Sequence, residues 1–166
     1  MLTVIEHVER PFGKGDLTEH VERPFGKGDL TSDGLQWCSE VGTTTADTDV
    51  EVESVTINPP ALGRMISVEF GLTAAFRAVS SATADLIYKW QARNKDGTWV
   101  DLHSAVTKTD IGTTYVEETR SGRFKPVANF DSLPFEVRLI IQCNEANEGR
   151  AKIKNSSYIR VKYATS

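Results

Sequence analysis

The clearest pattern in the chain is an alternation. From Phe135 to Asn144, Phe135, Val137, Leu139, Ile141 and Cys143 are apolar, and Glu136, Arg138, Gln142 and Asn144 are polar. Ile140 is the one apolar residue in the polar set. A period of two residues belongs to a strand with one face in a core and one in water. The same period recurs elsewhere. Between Met65 and Phe76 it puts Ile66, Val68, Phe70, Leu72, Ala74 and Phe76 on one face. Between Ala84 and Arg93 it groups Leu86, Tyr88, Trp90 and Ala92, and in the closing SYIRVKYA it groups Ile159, Val161 and Tyr163. The run LTAAFRAV is rich in helix formers, but its alternation continues that of the residues before it and predicts a long strand. Val50 to Ile57 is a further strand whose apolar set changes phase between Val52 and Val55, the sign of a bulge or twist.

Turn signals separate these runs. Asn58-Pro59-Pro60 ends one strand, because proline has no N–H for a ladder. Asn94-Lys95-Asp96-Gly97 predicts a tight hairpin, with Thr98 to Leu102 as its return strand and Trp99 across from Trp90 or Gln91. Leu35 to Val41 and Thr113 to Thr119 are further strand candidates. Ser121-Gly122, Glu145 to Gly149 and Asn155-Ser156 are predicted turns. No helical pattern alternates with the strands, which argues against a parallel α/β sheet. The expected fold is all-β: an antiparallel, jelly-roll-like β-sandwich of about eight to ten strands, formed by residues 32–166.

Residues 1–31 differ from the rest. Glu6 to Thr18 reads EHVERPFGKGDLT, and Glu19 to Thr31 reads the same thirteen residues again. The unit is too short, and repeated too few times, for a solenoid. Each copy offers a short extended run followed by proline and two glycines. This predicts an arm of extended pieces joined by turns, with Val4, Val8, Phe12, Val21 and Phe25 as its candidate assembly contacts. Its apolar content is too small for a core of its own. A strand of the arm can instead add to an exposed sheet edge, that of a neighbouring subunit in this reading. The plainer reading is a duplication tolerated at a terminus.

Composition adds limits. A chain of 166 residues can bury a core without disulfides or metals. A net charge of −4 argues against nucleic-acid and anionic-membrane binding. No signal peptide or membrane span is evident, so synthesis in the cytoplasm is expected. Of the two cysteines, Cys143 lies on an apolar strand face and reads as core; a bond to Cys38 would need adjacent strands.

Candidate chemistry is sparse. Asp47, Asp49, Glu51 and Glu53 alternate, and Asp47 and Asp49 are weak candidates for a hard cation such as Ca²⁺. Strand spacing of about 6.6 Å between alternate residues keeps four carboxylates from reaching one ion, so a charged edge is the simpler reading. His103 can share a face with Asp101, but no nucleophile frame accompanies them. Glu117 and Glu118 point to opposite strand faces. Trp37, Tyr88, Trp90 and Trp99 suggest a sugar-stacking platform, with Trp99 beside the hairpin the best placed; Tyr88 and Trp90 read as core. No catalytic residue and no cofactor is expected.

The run YKWQARNKDGTWVDL (88–102) and the closing NSSYIRVKY (155–163) resemble strands of β-sandwich modules in phage virion proteins, including decoration and tail-associated subunits. Similar hairpins occur in bacterial carbohydrate-binding sandwiches. The resemblance covers about a third of the chain and carries over no functional residue. It implies a non-enzymatic structural subunit in a virion, partnered by copies of itself or by other virion proteins. The alternative it implies is a glycan-binding module.

Overall fold

The computed structural model describes residues 5–10, 16–22, 37–58, 64–127 and 134–165. They form twelve strands and no helix: β1 (Ile5–Arg10), β2 (Asp16–Glu22), β3 (Val41–Gly42), β4 (Val50–Ile57), β5 (Arg64–Arg77), β6 (Leu86–Asn94), β7 (Val100–Asp101), β8 (Val106–Lys108), β9 (Val116–Phe124), β10 (Phe135–Cys143), β11 (Arg150–Ile153) and β12 (Tyr158–Thr165). The chain is an all-β antiparallel sandwich of two sheets.

The larger sheet is built on β5, the longest strand. One edge of β5 carries β9. The other carries β12 along its first half and β11 along its second. Outside β12 lie β2 and then β1; outside β11 lies β3. In the smaller sheet β10 runs between β4 and β6, and β7 and β8 pair with the far edge of β6. The alternation of β10 therefore marks a strand with partners on both sides.

The inner faces meet in one core. Leu139, Ile141, Trp90 and Phe135 from the smaller sheet are fully buried, as are Leu72, Phe76 and Val161 from the larger. Burying a side chain of this size contributes roughly 1.5–3 kcal/mol. Phe76 and Tyr88 stack across the sheets with ring centroids 4.4 Å apart. The Tyr88 hydroxyl, carried into the core, accepts a hydrogen bond from Arg120 Nε at 3.0 Å, so its polar tip is satisfied. Cys38 and Cys143 are both buried and unbonded to each other.

The phase change in β4 is a register shift. Leu139 stands opposite Glu53 and Ile140 opposite Glu51, so Val52 is the extra residue. A second bulge corrects the expected face of β5. Lys162 pairs with Ser67 and Tyr163 with Met65, which leaves Ile66 unpaired. Met65 is buried in its place and Ile66 is half-buried.

Three other expectations change. Ser121-Gly122 is no turn; it lies inside β9, with Gly122 opposite Phe70. A Cβ at Gly122 would stand 3.3 Å from Phe70 Cζ, so the glycine makes room for that ring. The return strand after the hairpin shrinks to Val100–Asp101. Asp101, not Trp99, stands opposite Gln91. The strand expected at Thr113 starts at Val116. The hairpin turn itself forms, with Asp96 at φ 63° and the Gly97 N–H donating to Asn94 O at 2.8 Å.

Candidate functional site

Two regions are candidates for function: the edge that bears the repeat, and the outer face of the smaller sheet. At the edge, β2 joins β12 antiparallel from Glu22 opposite Ile159 to Asp16 opposite Thr165, with Val21 opposite Arg160. β1 then pairs β2, with Val8 opposite Glu19 and Glu6 opposite Val21. Strand addition by the arm is thus made here on the chain's own β12. Val8 and Val21 lie in these two strands. Val4, Phe12 and Phe25 lie outside the described residues.

The outer face of the smaller sheet is a polar lattice. Polar residues stand directly opposite one another on neighbouring strands, Glu136 opposite Arg93, Arg138 opposite Gln91 and Gln91 opposite Asp101, and their side chains meet. Gln91 Nε2 donates to Asp101 Oδ1 at 2.6 Å, and Arg138 Nε donates to Gln91 Oε1 at 2.9 Å. Arg138 also reaches Glu51 at 3.1 Å. Arg93 pairs with Glu136 at 2.9 Å and donates to Gly97 O at 3.1 Å. Gln91 and Glu136 are nearly fully buried by this network, and their polar atoms are used, as burial requires.

Trp99 lies against the lattice. The Arg93 and Arg138 guanidinium carbons stand 4.2 Å and 4.0 Å from its ring centroid. Cation–π pairs of this kind contribute about 0.5–1 kcal/mol each at exposed sites. A sugar stacking on this indole would compete with them. Beyond the lattice is a cavity of about 210 Å³ lined by Asp49, Ile87, Tyr88, Lys89, Ala105, Ile140 and Gln142. Ile140, the odd apolar residue of its polar set, helps to line it and is only 4% exposed. That single break in the alternation was the available signal for this cavity.

The other aromatics do not gather around Trp99. Tyr88 and Trp90 are in the core. Trp37 bridges to Lys154 on the larger sheet, and Lys152 Nζ stands 4.9 Å from its ring and 3.9 Å from that of Tyr115.

The acidic candidates are separated too. Asp47 sits in a turn at φ 53°, and its N–H donates to Cys143 O at 2.7 Å. Asp49 lines the cavity, and Glu51 is bound to Arg138. Among the described residues no group of three His, Cys, Asp or Glu side chains is placed to hold a metal. Glu117 pairs with Lys154 at 3.1 Å and Glu118 with Lys108, on opposite faces of β9.

His103 has a structural post. Its Nε2 accepts the Trp90 N–H at 3.0 Å, so its proton sits on Nδ1, which donates to Ser104 O at 2.7 Å. Burial holds its pKa below the usual histidine value. Both nitrogens are engaged, which leaves none to act as a general base.

One carboxylate was missed at sequence level. Glu148 receives the N–H groups of Val79, Ser80 and Ser81 at 3.1, 2.8 and 2.9 Å and the Ser80 hydroxyl at 2.8 Å. These bonds, those from Ser80 and Ser81 foremost, lower its pKa from 4.5 to about 2. It fastens the loop after β5 to the loop after β10. Its partners are backbone groups distant in sequence, which no local pattern reveals.

No protein-family model and no curated protein sequence matches the chain. Solved structures do share its fold. A chain of infectious bursal disease virus, Gt strain, superposes with a TM-score of 0.52 at 10% identity; 90% of this chain and 43% of the viral chain are covered. The Gx strain has the same TM-score and identity, with 42% of its chain covered. This chain thus spans less than half the length of those viral chains. The CBM22-1 xylan-binding domain from Paenibacillus barcinonensis Xyn10C aligns over 98% of this chain and 83% of its own at 15% identity, with a TM-score of 0.36.

Proposed function

We propose that this protein is a non-enzymatic structural subunit of a virion, a decoration or cement-type β-sandwich that self-associates or binds a larger particle through its N-terminal strands. The observation that carries this reading is the placement of the repeat. Its two copies supply β1 and β2, which extend the larger sheet so that β1 is its edge strand among the described residues. An edge strand offers main-chain donors and acceptors to another chain. The sandwich shared with viral chains supports the same reading at the level of fold. His103, Glu117 and Glu118 are spent on structural bonds. Size-exclusion chromatography with light scattering on the intact chain tests the proposal. A multiple of the monomer mass is expected; a monomer at every concentration would refute self-association and leave only the binding of other particle proteins, which co-sedimentation with the particle would decide.

A further inference from the structure

Within one chain the repeat already pairs with itself. Ile5 stands opposite Glu22, Glu6 opposite Val21, His7 opposite His20 and Val8 opposite Glu19. Glu22, Val21, His20 and Glu19 are the second-copy counterparts of Glu9, Val8, His7 and Glu6. The Glu-His-Val segment therefore faces an identical segment, antiparallel, about a local two-fold centre at the histidine. β2 uses both of its edges in this arrangement, one for β12 and one for β1. Among the described residues β1 is the last strand on its side of the sheet.

We infer that β1 is a docking edge for a second copy of this chain, whose own β1 pairs with it antiparallel in the register of the β1–β2 pair, His7 opposite His7 across a two-fold axis. This rests on the reading of the protein as a self-associating subunit and names the partner and the register. A two-fold interface requires a surface complementary to itself; the β1–β2 pair shows that the order of residues in this segment fits its own reverse, and a second copy would meet it through the opposite main-chain edge of β1. In the proposed register Glu6 faces Val8 and Glu9 faces Ile5, so no two carboxylates stand directly opposed, which a sheet would penalise. Two seven-stranded sheets would then run on as one.

The test uses the full chain with His7→Cys under mild oxidation. Opposed Cα atoms in an antiparallel pair lie about 4.5–5.5 Å apart, within the span of a disulfide. A disulfide-linked dimer is expected. His20→Cys is the control, because that position lies between β1 and β12, and it is expected to stay monomeric on a non-reducing gel. Register is read separately by mixing Ile5→Cys protein with Glu9→Cys protein; a heterodimer in the mixture and little dimer in either alone is expected. If the wild type associates by light scattering but His7→Cys cross-links no better than His20→Cys, this inference fails and the assembly reading stands. A wild type that is monomeric throughout overturns this inference together with self-association, and leaves only the binding of other particle proteins.

Discussion

The β10–β6 pair and the β1–β2 pair are both antiparallel, but different things hold them. β10 and β6 meet over nine register positions, and their inward residues, Leu139, Ile141, Tyr88 and Trp90, fill the core. A slip by one residue would turn those side chains into water. β1 and β2 are held to the sheet through an edge, by segments that repeat after thirteen residues. Nothing in a repeated sequence distinguishes one copy from the other as a partner. The first pair specifies a fold; the second is the contact that, in the proposed reading, another molecule makes.

The largest effect should come from breaking the first pair. Leu139→Ala is expected to cost ~2–5 kcal/mol, read by denaturant unfolding. An unfolding midpoint equal to that of the wild type would show that β10 is not the core strand. Gly122→Val tests the larger sheet. Its branched side chain must displace the Phe70 ring, at an expected cost of ~1–3 kcal/mol, also by denaturant unfolding.

Much of this was legible because it is local. The alternation of β10 states its buried face residue by residue, and the phase change at Val52 announced the bulge. What escaped depends on partners far along the chain. The Ile66 bulge is set by the register against β12. Gly122 reads as a turn until Phe70 is seen opposite it. The Trp99 site was half visible: the indole was singled out, but Arg93 and Arg138 converge on it from two strands joined only by the sheet. The pairing of Val21 with Arg160 joins opposite ends of the chain, and alternation in either segment says nothing of it.

Acid provides a smaller test. The folded-state pKa of Glu148 is about 2, below its ordinary 4.5. The stability it contributes is therefore fully present above pH 4.5 and is lost as pH falls from there towards about 2. Thermal melts of Glu148→Gln are expected to show a shallower decline across that window than the wild type. His103, also depressed, acts in the same direction at higher pH: stability should begin to fall as pH drops below its ordinary 6.5.

The smallest effect is expected at Trp99. Trp99→Ala removes two guanidinium contacts and should cost about 1–2 kcal/mol in unfolding experiments. On a glycan array the wild type is expected to show no retention. Retention that Trp99→Ala abolishes would move the function to sugar binding and away from assembly.

The central claim is that the sandwich stands without the repeat and associates through it. The direct measurement pairs circular dichroism with light scattering on the intact chain and on residues 32–166. The shortened chain should keep the β-sheet spectrum and a cooperative melt, and should be monomeric at concentrations where the intact chain is a dimer or larger. A shortened chain that stays folded and associates as strongly as the intact one would show that the repeated strands are passengers.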